Sequence, residues 1–146
     1  MRFFCLHNTL ELDAARPVSD MAAFFDYQPA PSAALTLTLA REQGCVSACL
    51  HGAEQSFTAS EPCSEAAASG EVTRCVKLVV LKVFAELTGL QPKLPWGILT
   101  GVRPTKLAHK LLDSGVEAAA LPEYLSENYL LPTAQGRLLT DIALKQ

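Results

Sequence analysis

Hydrophobic and polar residues alternate strictly along two segments of this chain, the pattern of strands with one buried face. Residues 35–39 read Leu-Thr-Leu-Thr-Leu, and residues 45–51 place Val46, Ala48 and Leu50 on one side. Residues 41–44 supply a turn between these segments, and residues 52–54 turn the chain into a weaker strand over 55–60. With the short apolar run at 2–7, the pattern predicts an antiparallel sheet of about four strands.

Two other segments repeat their apolar residues every three to four positions, as amphipathic helices do. The first begins at Pro17 and ends before a loop at 28–32; its stripe consists of Val18, Met21, Ala22 and Phe25. The second covers about 70–88, with a stripe of Val72, Cys75, Val76, Val79, Val80, Val83, Phe84 and Leu87. Most of its polar residues are expected on the opposite side: Glu71, Arg74, Lys77, Lys82 and Glu86.

The second segment is also rich in β-branched residues, which favour a strand over 77–84. Its periodicity extends over several turns and outweighs local propensities of tenths of a kcal/mol per residue. Ser69 or Gly70 is expected to cap the start of this helix, and Gly89 is expected to end it. The fold class is therefore α+β, with both helices packed on one face of the sheet.

A C-terminal helical segment is predicted after residue 92, so we divide the chain into a domain at 1–92 and a segment at 93–146. Pro104 suits the first turn of a helix with Leu107, Ala108, Leu111 and Leu112 inward, ended by Ser114-Gly115. Short helical pieces follow at 116–121 and 122–128. A last helix starts near Thr133, with Leu138, Leu139, Ile142 and Ala143 on its apolar side. It reaches Gln146 without a Gly, a Pro or a polar tail. We therefore expect a piece of a longer protein, a docked native C-terminal helix being the alternative.

Composition and charge exclude several classes of protein. The 146 residues are 49% hydrophobic and 18% charged, and the net charge of −3 argues against a general binder of nucleic acid or anionic membranes. No apolar run is long enough to span a membrane. Five irregularly spaced cysteines without an export signal predict reduced thiols and a cytoplasmic location.

One group of residues has the composition of a metal site but the wrong spacing. Cys45, Cys49 and His51 would share one face of a strand. Four strand residues span about 13 Å, whereas two thiolates on one zinc ion lie within roughly 4 Å of each other. We therefore predict no metal site. The histidines and cysteines also form no recognisable catalytic pattern, so no catalytic residue is assigned.

The start of the helix at Pro104 is the candidate binding site. A helix N-terminus carries a partial positive charge and free N–H groups, and an arginine can hold a carboxylate through two parallel hydrogen bonds. A solvated polar face is the alternative interpretation. The candidate anion-binding or docking residues are Arg103, Thr105, Lys106, His109 and Lys110. Trp96, Gly97, Gly101 and Pro104 are expected to shape the connection, with Trp96 as an anchor in the core.

Residues 96–107 read Trp-Gly-Ile-Leu-Thr-Gly-Val-Arg-Pro-Thr-Lys-Leu, followed by His109 and Lys110. This motif closely resembles the N-terminal part of the HemZ-type coproporphyrinogen dehydrogenases. These are oxygen-independent coproporphyrinogen III oxidase-like proteins of the radical S-adenosylmethionine (SAM) class. The resemblance continues loosely at residues 127–130, and over residues 1–90 it extends only to the order of the elements.

The resemblance implies an accessory domain that precedes a radical SAM barrel in a longer enzyme. That barrel would hold a [4Fe–4S] cluster on a Cys-x3-Cys-x2-Cys loop and would use SAM. The longer enzyme would oxidatively decarboxylate coproporphyrinogen III to protoporphyrinogen IX in haem biosynthesis. This chain lacks the cluster cysteines, so the resemblance assigns it no cofactor of its own. The implied partners are the barrel and an anionic tetrapyrrole substrate.

The residues alone leave other functions open. The same helix start suits a non-catalytic module that binds an anion, an RNA backbone or an acidic protein, and a dimerisation domain is a further alternative. The acidic balance and the lack of interleaved aromatic residues disfavour RNA.

Overall fold

The computed structural model describes residues 1–100 and 103–146, which form two compact units, Met1–Pro92 and Lys93–Gln146. The first unit contains a five-stranded sheet and two helices. In chain order its elements are β1 (Arg2–Asn8), α1 (Ala15–Ala23), β2 (Tyr27–Pro29), β3 (Thr36–Glu42), β4 (Cys45–His51), β5 (Ser56–Pro62) and α2 (Ser69–Thr88). The described part of the second unit is helical, with α3 (Pro104–Asp113), α4 (Leu121–Tyr129) and α5 (Thr133–Leu144). The α+β class is confirmed.

The sheet is mixed, with the strand order β2-β1-β3-β4-β5. The meander of β3, β4 and β5 is antiparallel, as the alternating pattern predicts. β1, however, pairs in parallel with both β2 and β3. The prediction of an antiparallel sheet of about four strands was therefore correct for the meander, but it missed β2 and the parallel pairing of β1.

The missed strand β2 overlaps the segment 28–32, which was predicted to be a loop. Pro29 has no N–H to donate, but β2 is an edge strand, where a proline is tolerated. Backbone hydrogen bonds hold both ends of the pairing: Arg2 donates to the carbonyl of Asp26, and Ala30 donates to that of Phe4. Because β1 and β2 are joined through α1, they pair in parallel, which no local pattern reveals.

α2 is the central helix of the first unit and packs against β4, β5 and α1. Its predicted stripe is buried from Val72 to Phe84, which confirms the choice of a helix over a strand. Gly89 ends the helix in the left-handed conformation, with φ +71°, as predicted. The predicted cap was wrong: Ala68 is the N-cap residue, and no side chain caps the helix there.

Lys77 departs from the predicted polar face of α2, because its side chain is only 6% exposed. Leu78 and Leu81 are buried as well, since α1 packs against α2. Burial lowers the pKa of Lys77, and the negative charge of Asp20 on α1 opposes that shift. The packing of α1 on α2 thus buries a position that the periodicity of α2 alone places on the solvent side.

We expect Lys77→Met to increase the free energy of unfolding at pH 7 by about 1 kcal/mol, since it removes a desolvated charge. In the native chain the unfolded state holds the Lys77 proton more tightly, so stability rises as the pH increases towards 10.5. The variant should lose that rise. Urea unfolding at pH 7 and about pH 10 measures both effects. Lys82→Met, on the exposed side of the same helix, is the control. A destabilised Lys77→Met chain with an unchanged pH profile would contradict the prediction.

The second unit is built around a separate apolar cluster. Its buried members come from the connection before α3, from the helices, and from the turn after α4: Leu99, Ala108, Leu121, Leu125, Leu131, Leu139 and Ala143. Leu107, Leu111 and Leu112 are partly buried against this cluster, which confirms the predicted inner face of α3. Pro104 occupies the first turn of α3, and the helix ends at Ser114, also as predicted.

The prediction of which residues form the apolar side of α5 was only partly correct. Leu139 and Ala143 are buried, but Leu138 and Ile142 are 51% and 38% exposed. Gly136 and Thr140 take the remaining inward positions, and the Thr140 hydroxyl donates to the carbonyl of Gly136 at 2.8 Å. A Cβ at Gly136 would lie 3.3 Å from Pro122 of α4, so a small residue allows the two helices to approach closely. No described helix is long and apolar enough to cross a membrane.

Candidate functional site

The connection before α3 is a tight turn stabilised by backbone hydrogen bonds. Gly97 donates to the carbonyl of Leu94 at 3.0 Å, and Leu99 donates to that of Trp96 at 3.1 Å. Gly97 adopts φ +57°, a left-handed conformation that side-chain-bearing residues adopt at a cost. The glycine predicted to shape this motif therefore does so through its backbone angle.

The same turn lies against the C-terminal end of α4. The Ile98 N–H donates to the carbonyl of Tyr129 at 2.9 Å. Leu130 ends α4 in a left-handed conformation with φ +56°. A Cβ on Gly97 would lie 2.1 Å from the Tyr129 oxygen, well inside any real contact distance. The motif thus joins the connection to the helical segment through backbone atoms.

Trp96 does not anchor the core, contrary to the expectation from the sequence. Its side chain is 41% exposed, whereas Ile98 and Leu99 are 1% and 8% exposed. The left-handed turn at Gly97 separates the tryptophan from the two aliphatic residues that enter the core. The sequence predicts that this connection is held to the core by a large apolar side chain, but it does not show which residue provides that side chain.

α3 begins without a side-chain cap. Arg103 is the N-cap residue in an extended conformation, and its carbonyl accepts the N–H groups of Lys106 and Leu107 at 3.1 and 3.3 Å. Pro104 at the first helical position has no N–H to satisfy. Gly101, which was also predicted to shape this connection, lies outside the described residues.

The predicted site residues differ in exposure along α3. Arg103, Lys106 and Lys110 are exposed, and Thr105 and His109 are half-buried. The spacing of the three cations places them along one side of the helix. His109 Nε2 lies 2.9 Å from Oε1 of Gln146, so this ring contacts the last residue of the chain. No acidic residue lies in the first turn of α3, so the helix dipole and the cations add to a positive potential there.

β4 carries the residues that were considered and rejected as a metal site. Cys45, Cys49 and His51 occupy alternate positions of one strand and share a face, at the strand spacing that excludes joint coordination. Across the described residues, no group of three or more His, Cys, Asp and Glu side chains is arranged to hold a metal ion. We assign no metal chemistry to these residues.

A cleft of about 700 Å³ in the first unit was not foreseen from the sequence. It lies where β1 and β3 end, beside the start of α2. Three carboxylates line it, from Glu11, Glu42 and Glu65, together with the guanidinium of Arg41. That guanidinium donates a hydrogen bond to the carbonyl of Ser64. The negative balance of the cleft does not suit an anion, so the start of α3 remains the candidate site.

Comparison with known proteins identifies a relative of the class that the sequence resembles. The chain is similar to an oxygen-independent coproporphyrinogen-III oxidase-like protein. That relative is HemZ of Bacillus subtilis (strain 168), with 36% identity over 83 residues. The matched segment covers 57% of this chain and 16% of the relative's length. No family model matches the chain, and no solved structure matches it. The comparison therefore confirms the resemblance to HemZ-type proteins, over part of this chain and a smaller part of the relative.

Proposed function

We propose that this chain is an accessory region of a radical SAM enzyme that resembles oxygen-independent coproporphyrinogen-III oxidases. The observation that carries the proposal is the 36% identity to HemZ over 83 residues. In this proposal the longer enzyme converts coproporphyrinogen III to protoporphyrinogen IX for haem biosynthesis. The residues of this chain serve its architecture and its binding of anions rather than the redox step.

The iron–sulfur cluster of such an enzyme does not fit the residues that the structure describes. A [4Fe–4S] cluster held by three cysteines and SAM would supply the radical that starts the decarboxylation. The described residues offer no group of ligands that could hold a metal ion, and Cys45 and Cys49 are too far apart along β4 to share one. We therefore assign both cofactors to another part of a longer protein and derive no reaction step here.

The start of α3 is the part of this chain that we assign to substrate. The propionate groups of a coproporphyrinogen are carboxylates, and an uncapped helix N-terminus attracts such groups through its dipole. Arg103 is exposed, belongs to the N-cap position and can hold a carboxylate in a bidentate manner. Lys106 and Lys110 add charge along the same side of the helix. In this role the cluster of cations neutralises one propionate.

A second candidate function is protein binding without any part in redox chemistry. The observation that favours it is the exposure of Leu138 and Ile142, which are one helical turn apart on α5. Two large aliphatic side chains side by side in solvent suit contact with another protein or with the remainder of a longer chain.

Arg103→Ala in the longer enzyme distinguishes the two roles. If Arg103 neutralises a propionate, the KM for coproporphyrinogen III should rise about tenfold, the loss of roughly one charge-assisted hydrogen bond. Arg16→Ala is the matched control, because Arg16 is an exposed arginine in the first turn of α1. Steady-state kinetics on both variants measure the effect. An unchanged KM at normal protein yield would rule out the anion role of Arg103 while leaving the accessory role standing.

A further inference from the structure

The fold brings together two cysteines that have no relation by sequence pattern. Cys63 directly follows β5, and Cys75 lies in the second turn of α2. Both side chains are buried, with 3% and 0% exposure. The chain between them forms the β5–α2 connection and the first turn of α2.

The contacts of Cys75 place its sulfur beside Cys63. The Cys75 thiol donates to the carbonyl oxygen of Pro62 at 3.5 Å. That carbonyl is part of the peptide bond between Pro62 and Cys63. The Cys63 side chain is also near enough to Cys75 to help raise the pKa of the Cys75 thiol. The fold therefore brings the two buried cysteines into the same part of the core, which is the first requirement for a disulfide.

Burial keeps the Cys75 thiol in the protonated form. Burial raises the pKa of Cys75 to about 12, an effect that the positive charge of Arg74 opposes and that Cys63 reinforces. The Arg74 guanidinium lies 3.9 Å from the Cys75 sulfur, but it is engaged with Glu71 at 2.6 Å. Because the thiolate is the reactive form of cysteine, the buried Cys75 thiol reacts slowly unless the β5–α2 connection opens.

We propose that Cys63 and Cys75 form a disulfide when this chain meets a low-molecular-weight disulfide such as oxidised glutathione. The Cys63 sulfur attacks the glutathione disulfide and releases one glutathione. The Cys75 sulfur then attacks the mixed disulfide at Cys63 and releases the second. Each protein thiol loses its proton to solvent, two electrons pass to the oxidant, and two molecules of glutathione are formed.

The product would fasten the end of β5 covalently to α2. The loop that it closes contains about a dozen residues, and closure of a loop of that length removes conformational entropy from the unfolded chain. A disulfide that stabilises the folded chain must, by thermodynamic linkage, form more favourably in the folded chain than in the unfolded one. For such a loop, the ratio of the two equilibrium constants is roughly 100.

The other cysteines provide internal controls. Cys45 and Cys49 lie on one face of β4, about 13 Å apart along the strand, so they cannot bridge each other. Cys5 lies on β1, where its thiol contacts the carbonyl of Pro31. Cys49→Ser should therefore leave the reaction intact, whereas Cys63→Ala should abolish it.

The test equilibrates the 146-residue chain with mixtures of reduced and oxidised glutathione, both folded and in concentrated urea. Free thiols are then alkylated, and the chain is cleaved after Lys, Arg and Glu. Peptide 55–65 then carries Cys63 alone, and peptide 75–77 carries Cys75 alone. Mass spectrometry of the linked pair gives the equilibrium constant under each condition.

We expect the linked pair 55–65 with 75–77 to predominate in the folded chain, with an equilibrium constant about 100-fold above that in urea. A ratio of one or less would overturn the proposal, as would links spread evenly over the five cysteines. A further incubation in urea below the unfolding transition, which favours local opening, removes slow access as an explanation for an absent link. A protein disulfide at Cys75 that still forms in Cys63→Ala would also count against the pairing, because Cys75 would then have another partner.

Discussion

Gly97→Ala is expected to destabilise the second unit by more than about 3 kcal/mol, enough to unfold it in a marginally stable protein. The added Cβ would lie 2.1 Å from the Tyr129 oxygen, 2.7 Å from the Leu130 carbonyl carbon and 2.8 Å from the Leu130 oxygen. All three atoms belong to the backbone, so no side-chain rotation relieves the overlap. The connection and the end of α4 would have to separate, with loss of the Ile98 to Tyr129 hydrogen bond. Denaturant unfolding monitored by Trp96 fluorescence measures the loss.

Gly89→Ala is the matched control for the steric part of this effect. Gly89 has φ +71°, close to the φ of Gly97, but nothing lies within 4 Å of the position that its added Cβ would take. Its replacement should therefore cost only the left-handed strain of an alanine, about 1 kcal/mol. Unfolding of this variant is followed by circular dichroism. If both variants lost the same small free energy, the close approach of the motif to α4 would be refuted.

Phe84→Ala should reduce the free energy of unfolding of the first unit by about 3–5 kcal/mol. Phe84 is fully buried on α2 and contacts three aromatic rings, with centroid distances of 5.2 Å to Phe4, 5.9 Å to Phe25 and 5.1 Å to Tyr27. These rings come from β1, from the turn after α1 and from β2. Loss of the Phe84 ring leaves a cavity where the central helix meets the parallel part of the sheet. Urea unfolding followed by circular dichroism measures the effect.

Phe3→Ala is the control for the general effect of losing a phenylalanine from this region. Phe3 is the neighbour of Phe4 on β1, but its side chain points to the other face of the sheet and is 47% exposed. We expect it to cost less than about 1 kcal/mol. A similar loss in both variants would mean that the aromatic cluster does not organise this core.

The candidate site was predictable in its residue types but not in its contacts. The motif from Trp96 to Lys110 is visible in the sequence, and so is the similarity to HemZ that the comparison reports. The contact of Gly97 with Tyr129 joins positions far apart in the chain, so no local spacing reveals it. The same holds for Cys63 and Cys75, whose proximity depends on how α2 packs against β5. The role of Arg103 stays a prediction.

The sequence by itself determined the elements whose periodicity is long and regular. The antiparallel meander of β3 to β5, the helix α2 and the helix α3 with its proline start all follow from patterns within one segment. Their apolar faces must be buried wherever they pack, so periodicity alone is sufficient to identify them.

Only the tertiary structure decided what depends on neighbours distant in sequence. The parallel pairing of β1, the edge strand β2 and the burial of Lys77 each require a second element to be in place. The same is true of the exposure of Trp96, Leu138 and Ile142. The place of a residue in the hydrophobic pattern specifies which side of its own helix or strand it occupies. Which other element covers that side is set by packing and by backbone hydrogen bonds between segments, whose free energy is shared among many residues.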